Sequence, residues 1–187
     1  MTVIRTEGNL EEVETPQGRW WIPAGDGLAL AVELAEQSQD VYENGERAVH
    51  PGDIVLDCGG NVGVFTRVSL RRGASRVVAI EPGPWAVECL RRNFAEEVRD
   101  GRVMIYPKGV WDHDDTLELN VPEGVASTDA TVALNRKPGK RCRFQSTDPV
   151  TIPELARQLW PNYRLQCAVC TEMNEHLQPV VMYGAAN

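Results

Sequence analysis

Ile54-Val55-Leu56-Asp57-Cys58-Gly59-Gly60-Asn61-Val62-Gly63-Val64-Phe65-Thr66 is the stretch that decides the fold. Ile54-Val55-Leu56 is a short, uninterrupted apolar run, the mark of a strand buried on both faces. An acid, Asp57, ends it. Three glycines then crowd into Gly59-Gly60-Asn61-Val62-Gly63, where the chain must turn sharply into the helix expected over 62–72. Glycine allows the backbone angles of such a turn and lets a ligand come close to the main chain. Arg71-Arg72-Gly73 suits a helix end, with basic residues in the last turn and a glycine beyond it.

The same alternation continues outward. Arg76 to Ile80 is a second apolar strand, and Glu81 ends it, followed by Pro82. Pro84 opens a helix that carries Ala86, Leu90 and Phe94 at helical spacing and runs to about Val98. Arg102 to Tyr106 is a third strand. Strand, helix, strand, helix, strand with short connections predicts parallel pairing through right-handed crossovers. The fold class is therefore α/β, a Rossmann-like doubly wound, mostly parallel sheet with helices on both faces.

Residues 1–50 are expected to form an N-terminal hairpin and helix packed on that core. The hairpin spans 11–22, turning at Pro16-Gln17-Gly18 and returning through Arg19-Trp20-Trp21-Ile22. Asp26 can cap a helix from Leu28 to Glu43 with Leu28, Val32, Leu34 and Ala35 inward, stopped by Asn44-Gly45. Residues 51–187 form the sheet domain, the two parts making one structural domain. It holds a β-rich insertion with strands near Thr116–Val121 and Arg141–Phe144, a short helix over Ile152–Trp160, and a fourth parallel strand at Cys167–Cys170.

The turn chemistry narrows the ligand. A dinucleotide fingerprint GxGxxG starting at Gly59 needs glycines where Asn61 and Val64 stand, so it fails. An acid at the end of the first strand opposes a pyrophosphate but suits a ligand with a positive amino group. S-adenosyl-L-methionine (SAM) has an ammonium and a sulfonium and no phosphate. Asp57 is expected near its amino-acid end, with the Gly59-Gly60 backbone packed against it and Asn61 and Gly63 shaping the turn. Glu81, 24 residues after Asp57, stands where an acid would accept the ribose hydroxyls. Pro82 follows it in the site. A nicotinamide oxidoreductase, the rival from another class, is opposed by the same Asn61 and Val64.

Composition bounds the partners. The 187 residues carry 19 basic and 27 acidic side chains, a net charge of −8. That balance argues against a general nucleic-acid binder, which needs a basic face. No apolar run is long enough to cross a bilayer, and Met1 to Arg5 opens into polar sequence. The five cysteines, Cys58, Cys89, Cys142, Cys167 and Cys170, are odd in number and irregular in spacing, which points to a reducing, cytoplasmic setting. Cys167-Ala-Val-Cys170 lacks the second pair of a zinc site and reads as buried strand, so no metal is expected. Asp112-His113-Asp114-Asp115 reads as a solvated turn, and the basic run Arg136 to Arg143 as a solvated loop. Trp20, Trp21 and Trp85 read as core. Tyr42 reads as a helix-end aromatic packed on the core.

Beyond these readings, the chain resembles a known family. Thr15 to Pro23, Pro51 to Thr66, Val78-Ala-Ile-Glu-Pro82, Cys89-Leu-Arg-Arg-Asn93 and Lys108-Gly-Val-Trp-Asp112 are similar to the FkbM family of SAM-dependent methyltransferases. The likeness runs from about residue 13 to 160. It implies O-methylation of a hydroxyl on a sugar, glycolipid or polyketide-like small molecule, and it puts Gly109 and Val110 where the adenine is lined. It names no catalytic base. The chain departs from the family at the fourth strand, where Thr171 and Met173 stand in place of an Asp and a Glu. The later strands of the family sheet are missing, and Thr171 to Asn187 reads as altered sequence. The alternative reading is therefore a truncated or degenerate, non-catalytic SAM-binding fold. Such a sheet would leave the first or fourth strand as an open edge, to be covered by the 116–144 hairpin or by a homodimer.

Overall fold

The computed structural model describes residues 1–39 and 48–110 (Val110 by its backbone) and the backbone of strands at 116–122, 139–147, 163–168 and 181–186. Tyr42, Asn44-Gly45, Asp112 to Asp115, Arg136 to Pro138, the helix expected at 152–160, and Cys170, Thr171 and Met173 lie outside the described residues.

The expected alternation is present. Strand β4 (Ile54–Cys58) leads to α2 (Val64–Arg71), β5 (Arg76–Ile80), α3 (Pro84–Asn93), α4 (Ala95–Arg99) and β6 (Val103–Tyr106). Pairing is parallel from β4 to β5, with Val55 beside Val77, and from β5 to β6, with Val77 beside Val103. Two successive crossovers of one hand put their helices on one face. Phe65 of α2 and Leu90 of α3 accordingly pack with Val55, Val77, Ala79 and Val103. On the opposite face Ile54, Leu56, Val78 and Ile80 are also buried, as their uninterrupted apolar sequence requires. The helix expected to run from Pro84 to Val98 is broken at Phe94, whose φ of −127° leaves the helical range. Phe94 gives up helical geometry while its ring enters the core at 1% exposure.

The N-terminal part departs from a simple hairpin. β2 (Leu10–Thr15) and β3 (Gly18–Pro23) form it, and β1 (Thr2–Glu7) adds a third antiparallel strand beside β2. Every residue of β1 is exposed, so it has no apolar alternation from which a strand is read. Polar contacts hold it instead: Arg5 pairs with Glu12 at 2.8 Å, and Arg92 of α3 pairs with Glu7 at 2.8 Å. Helix α1 spans Gly27–Ser38, and Asp26 precedes it without a capping hydrogen bond from its side chain. Its inward residues are Leu30 and Leu34, not Leu28 and Val32, which are 79% and 50% exposed. Leu10, Val13, Trp20, Ile22 and Leu30 form one core cluster with Val62, Val64 and Cys89, so β2, β3 and α1 close over α2 and α3.

The C-terminal strands correct the expected order. The main sheet runs β10-β11-β4-β5-β6. β11 (Val181–Ala186) lies beside β4, antiparallel, with Met182 opposite Leu56, and β10 (Tyr163–Ala168) lies outside it. Cys167 is thus on an antiparallel outer strand rather than on a fourth parallel one. The edge of β4 is covered by 181–186 and not by the 116–144 hairpin. That hairpin, β8 (Thr116–Pro122) with β9 (Gly139–Thr147), forms its own sheet, joined by the short strand β7 (Gly109–Val110). Trp20 and Trp21 are core as expected, at 1% and 9% exposure, whereas Trp85 at the start of α3 is 41% exposed. No helix among the described residues is long and apolar enough to cross a membrane.

One side chain clasps the two parts. Asn93 Oδ1 accepts the Trp21 N–H at 2.6 Å, and its amide nitrogen donates to the carbonyls of Trp21 and Val62, each at 2.9 Å. Replacing it strands backbone groups beside a buried tryptophan. Asn93→Ala is expected to lower unfolding free energy by about 1–3 kcal/mol, the cost of unsatisfied buried polar groups. A urea melt whose midpoint does not move would remove the clasp from the stability of the fold.

Candidate functional site

The turn after β4 is shaped by positive backbone angles. Gly59 has φ of +84°, Asn61 +43° and Gly63 +94°. Asparagine tolerates the left-handed region better than most residues, which explains its place between two glycines. The turn folds back on the end of β5: Gly59 and Gly60 both donate their N–H to the Ile80 carbonyl, at 2.8 and 3.0 Å. The next N–H, of Asn61, goes to Glu81 Oε2 at 3.0 Å.

The three glycines have different physical reasons. A Cβ on Gly60 would meet Ala79 Cβ and Asp57 Oδ2, each at 3.4 Å, so this is where main chain, strand and carboxylate come closest. A Cβ on Gly63 would run into the Phe94 ring and stand 2.9 Å from Leu90 Cδ2, so Gly63 lets α2 seat on α3. Gly59 is exposed, on the open side of the turn.

Asp57 is 2% exposed and accepts the Thr66 hydroxyl at 2.6 Å. Burial pushes its carboxyl up to about 6, against the opposing hydrogen bonds from Thr66. Glu81 is half-buried, held at Oε1 by the Gly83 N–H at 2.7 Å and at Oε2 by Asn61. Burial pushes it up to about 7; those two hydrogen bonds oppose the rise, and the charge of Asp57 adds to it. Each oxygen keeps a lone pair, since a carboxylate has about four acceptor sites.

A third carboxylate joins them. Glu33 of α1 accepts the Asn61 side-chain amide at 2.5 Å. Burial again comes first in raising it to about 7, with Asp57, Glu36 and Glu81 repelling its charge. Sequence reading missed Glu33. The available signal is one acid among the inward positions of α1, which the apolar pattern of Leu28 and Val32 obscures. None of Glu33, Asp57 and Glu81 is in an ion pair with a described Lys or Arg. The arrangement is a concentration of carboxylates at the Asn61 turn that no described Lys or Arg compensates. Such a site favours a cation and rejects an anion.

The structure therefore brings Asp57, Gly59, Gly60, Asn61, Gly63 and Glu81 together, with Pro82 half-buried next in chain. Gly109 and Val110 lie in β7, their backbone paired with Ser146 and Thr147 of β9. No hydrogen bond among the described residues links them to the Asn61 turn. Among the described residues, no group of three or more His, Cys, Asp or Glu side chains is arranged to hold a metal ion.

No family model matches the chain, and no curated protein matches it. Among solved structures it is similar to the tRNA m1G37 methyltransferase of M. jannaschii, at 13% identity over 97% of this chain and 58% of that one, with a TM-score of 0.37. M. jannaschii TYW2 in complex with AdoMet is similar at 10% identity over 97% and 87%, TM-score 0.40. Methyltransferase FkbM from Methylobacillus flagellatus KT is similar at 11% identity over 72% and 43%, TM-score 0.32. The chain spans about half the length of the first and last of these, 58% and 43%. At such identities the likeness is one of fold alone.

Two outcomes follow from the geometry. Gly63→Ala is expected to destabilise by about 2–5 kcal/mol, joining a left-handed penalty to overpacking against Phe94 and Leu90; thermal unfolding of the variant within a degree of the parent would contradict it. The second concerns pH. Glu33 and Glu81, ordinarily near 4.5, rise to about 7, and Asp57, ordinarily near 3.8, to about 6. Between the unfolded and folded values the native state holds more protons than the unfolded chain, so these groups reduce stability as pH rises. Without ligand, their part of the stability is expected to fall from about pH 4 to 7. Glu33→Gln should flatten that slope in denaturant melts across pH, and an unchanged slope would count against a raised Glu33.

Proposed function

We propose that the chain binds SAM at the β4–α2 turn and is a methyltransferase. One observation carries this reading: Glu33 and Glu81 both accept from Asn61, Asp57 is near enough to repel their charge, and none of the three is in an ion pair with a described Lys or Arg. A cationic ligand relieves that charge, and a dinucleotide pyrophosphate would add to it. The residues fit the cofactor. Glu81 keeps acceptor capacity for two ribose hydroxyls, and the Gly59-Gly60 main chain packs beside Asp57 for the amino-acid end. Asn61 and Gly63 hold the turn, Gly59 lies exposed within it, and Pro82 borders the ribose. Gly109 and Val110 edge the adenine. When bound, SAM supplies an electrophilic methyl group. The protein's own part is to orient it and to keep an acceptor oxygen in line.

The FkbM resemblance extends the proposal to O-methylation of a small-molecule hydroxyl on a sugar, glycolipid or polyketide-like acceptor. The net charge of −8 supports a small acceptor over RNA, which calls for a basic face. A second reading, a SAM binder without turnover, is favoured by one observation. The strand beside β4 is antiparallel, where the family pattern has a parallel fourth strand, so its carboxyl end points away from the turn. If the chain pairs with a second copy through the sheet, the available edges are β6 and β10.

Calorimetric titration with S-adenosylhomocysteine tests the binding, and a methyl-transfer assay on hydroxyl acceptors then separates enzyme from binder. Glu81→Ala is expected to weaken S-adenosylhomocysteine by about 1.5–3 kcal/mol, the range of a charge-assisted hydrogen bond. Equal affinity in parent and variant would sink the role given to Glu81.

A further inference from the structure

A hollow of about 150 Å³, mainly apolar in its lining, lies between α1, α2 and the β2–β3 turn. It is separate from the acidic turn: neither Glu81 nor any residue from Asp57 to Gly63 lines it. Helix α2 contributes Val64, Arg67, Val68 and Arg71, whose spacing puts them on one helix face. Trp20 and Leu34 complete the apolar wall, and Gln17, Gln37 and Ser38 the polar one. A volume of this order accepts a group the size of benzene.

The polar lining is rich in donors. Arg67 Nη1 donates to the Arg19 carbonyl at 2.9 Å, and Arg71 Nη2 to the Gln17 carbonyl at 3.0 Å. Each guanidinium has five N–H donors, so these bonds fix both heads on the hairpin and leave most donors uncommitted. Arg67 is further clamped over the Trp20 ring, 3.4 Å from its centroid. Neither arginine is in an ion pair with a described carboxylate. Burial, then the charge of Arg71, lowers Arg67 to about 10. The indole Nε1–H of Trp20 is buried with no hydrogen-bond partner. No carboxylate among the described residues lines the hollow. Two fixed cations, paired with no described carboxylate, beside an apolar wall match one chemistry, an oxyanion carried on a short apolar stem.

We propose that this hollow binds a small organic oxyanion, its head held by Arg67 and Arg71 and its stem packed on Trp20, Leu34, Val64 and Val68. The site does not depend on the cofactor reading. The test titrates the full chain with hexanoate, with inorganic phosphate as a head without a stem, and with 1-hexanol as a stem without a charge. Indole fluorescence and calorimetry are the readouts. Hexanoate is expected to bind saturably and at least fivefold more tightly than phosphate, with no saturable hexanol binding. Arg71→Gln should weaken hexanoate at least tenfold, and Arg67→Gln at least as much, while S-adenosylhomocysteine affinity of the Arg71 variant stays as in the parent. Absence of saturable hexanoate binding overturns the proposal. So does hexanol or phosphate binding as tightly as hexanoate, or hexanoate affinity unchanged in both arginine variants.

Discussion

The turn that follows β4 hangs from the end of β5, and the rest of the site depends on that suspension. Three successive N–H groups, of Gly59, Gly60 and Asn61, reach across to the Ile80 carbonyl and the Glu81 carboxylate. Buried main-chain donors must find acceptors, and here the neighbouring strand supplies them. The bonds fix where α2 begins and therefore where Thr66 meets Asp57. They also pin Glu81, which Gly83 holds from the other side. Glu81 is thus positioned by backbone rather than by flexible partners, so little ordering of it remains to be done when a ligand arrives.

Charge is distributed along α2 in the sense its dipole favours. Asp57 lies at the N-terminal end, where unpaired N–H groups carry partial positive charge, and Arg67 and Arg71 stand in the later turns. The acidic turn and the arginine hollow are thereby kept at different ends of one short helix. A positively charged ligand and a negatively charged one would find separate places on the same face of the sheet.

The central half of the fold was legible because its signals are local. Ile54-Val55-Leu56, Arg76 to Ile80 and the glycine turn each announce themselves within a few residues, and Asp57 and Glu81 follow from strand ends. What escaped depended on partners far away in sequence. β1 has no buried residue, and Arg92 and Glu12 secure it from elsewhere. The inward face of α1 is set by Leu30 and Leu34 against Val62 and Val64, a choice the helix's own sequence leaves open. Missing that face meant missing Glu33. The strand beside β4 is supplied by Val181 to Ala186, whose sequence resembles nothing in the family pattern; a sheet edge needs hydrogen-bond partners, and backbone of many sequences can provide them. The assigned roles of Gly109 and Val110 came from resemblance alone.

The Asn93 clasp has a consequence for how the chain folds. Trp21 and the residue that holds its backbone are 72 positions apart. The N-terminal sheet emerges early in synthesis, yet its docking awaits α3, which is made after the first two parallel strands. Contacts of such long range form late, because loop closure costs entropy before packing returns it. Until then the indole rings of Trp20 and Trp21 have no core to enter. The nascent chain therefore passes through a stage in which an aromatic hairpin is finished but unanchored, and in that interval it is most open to capture by chaperones or by another copy of itself.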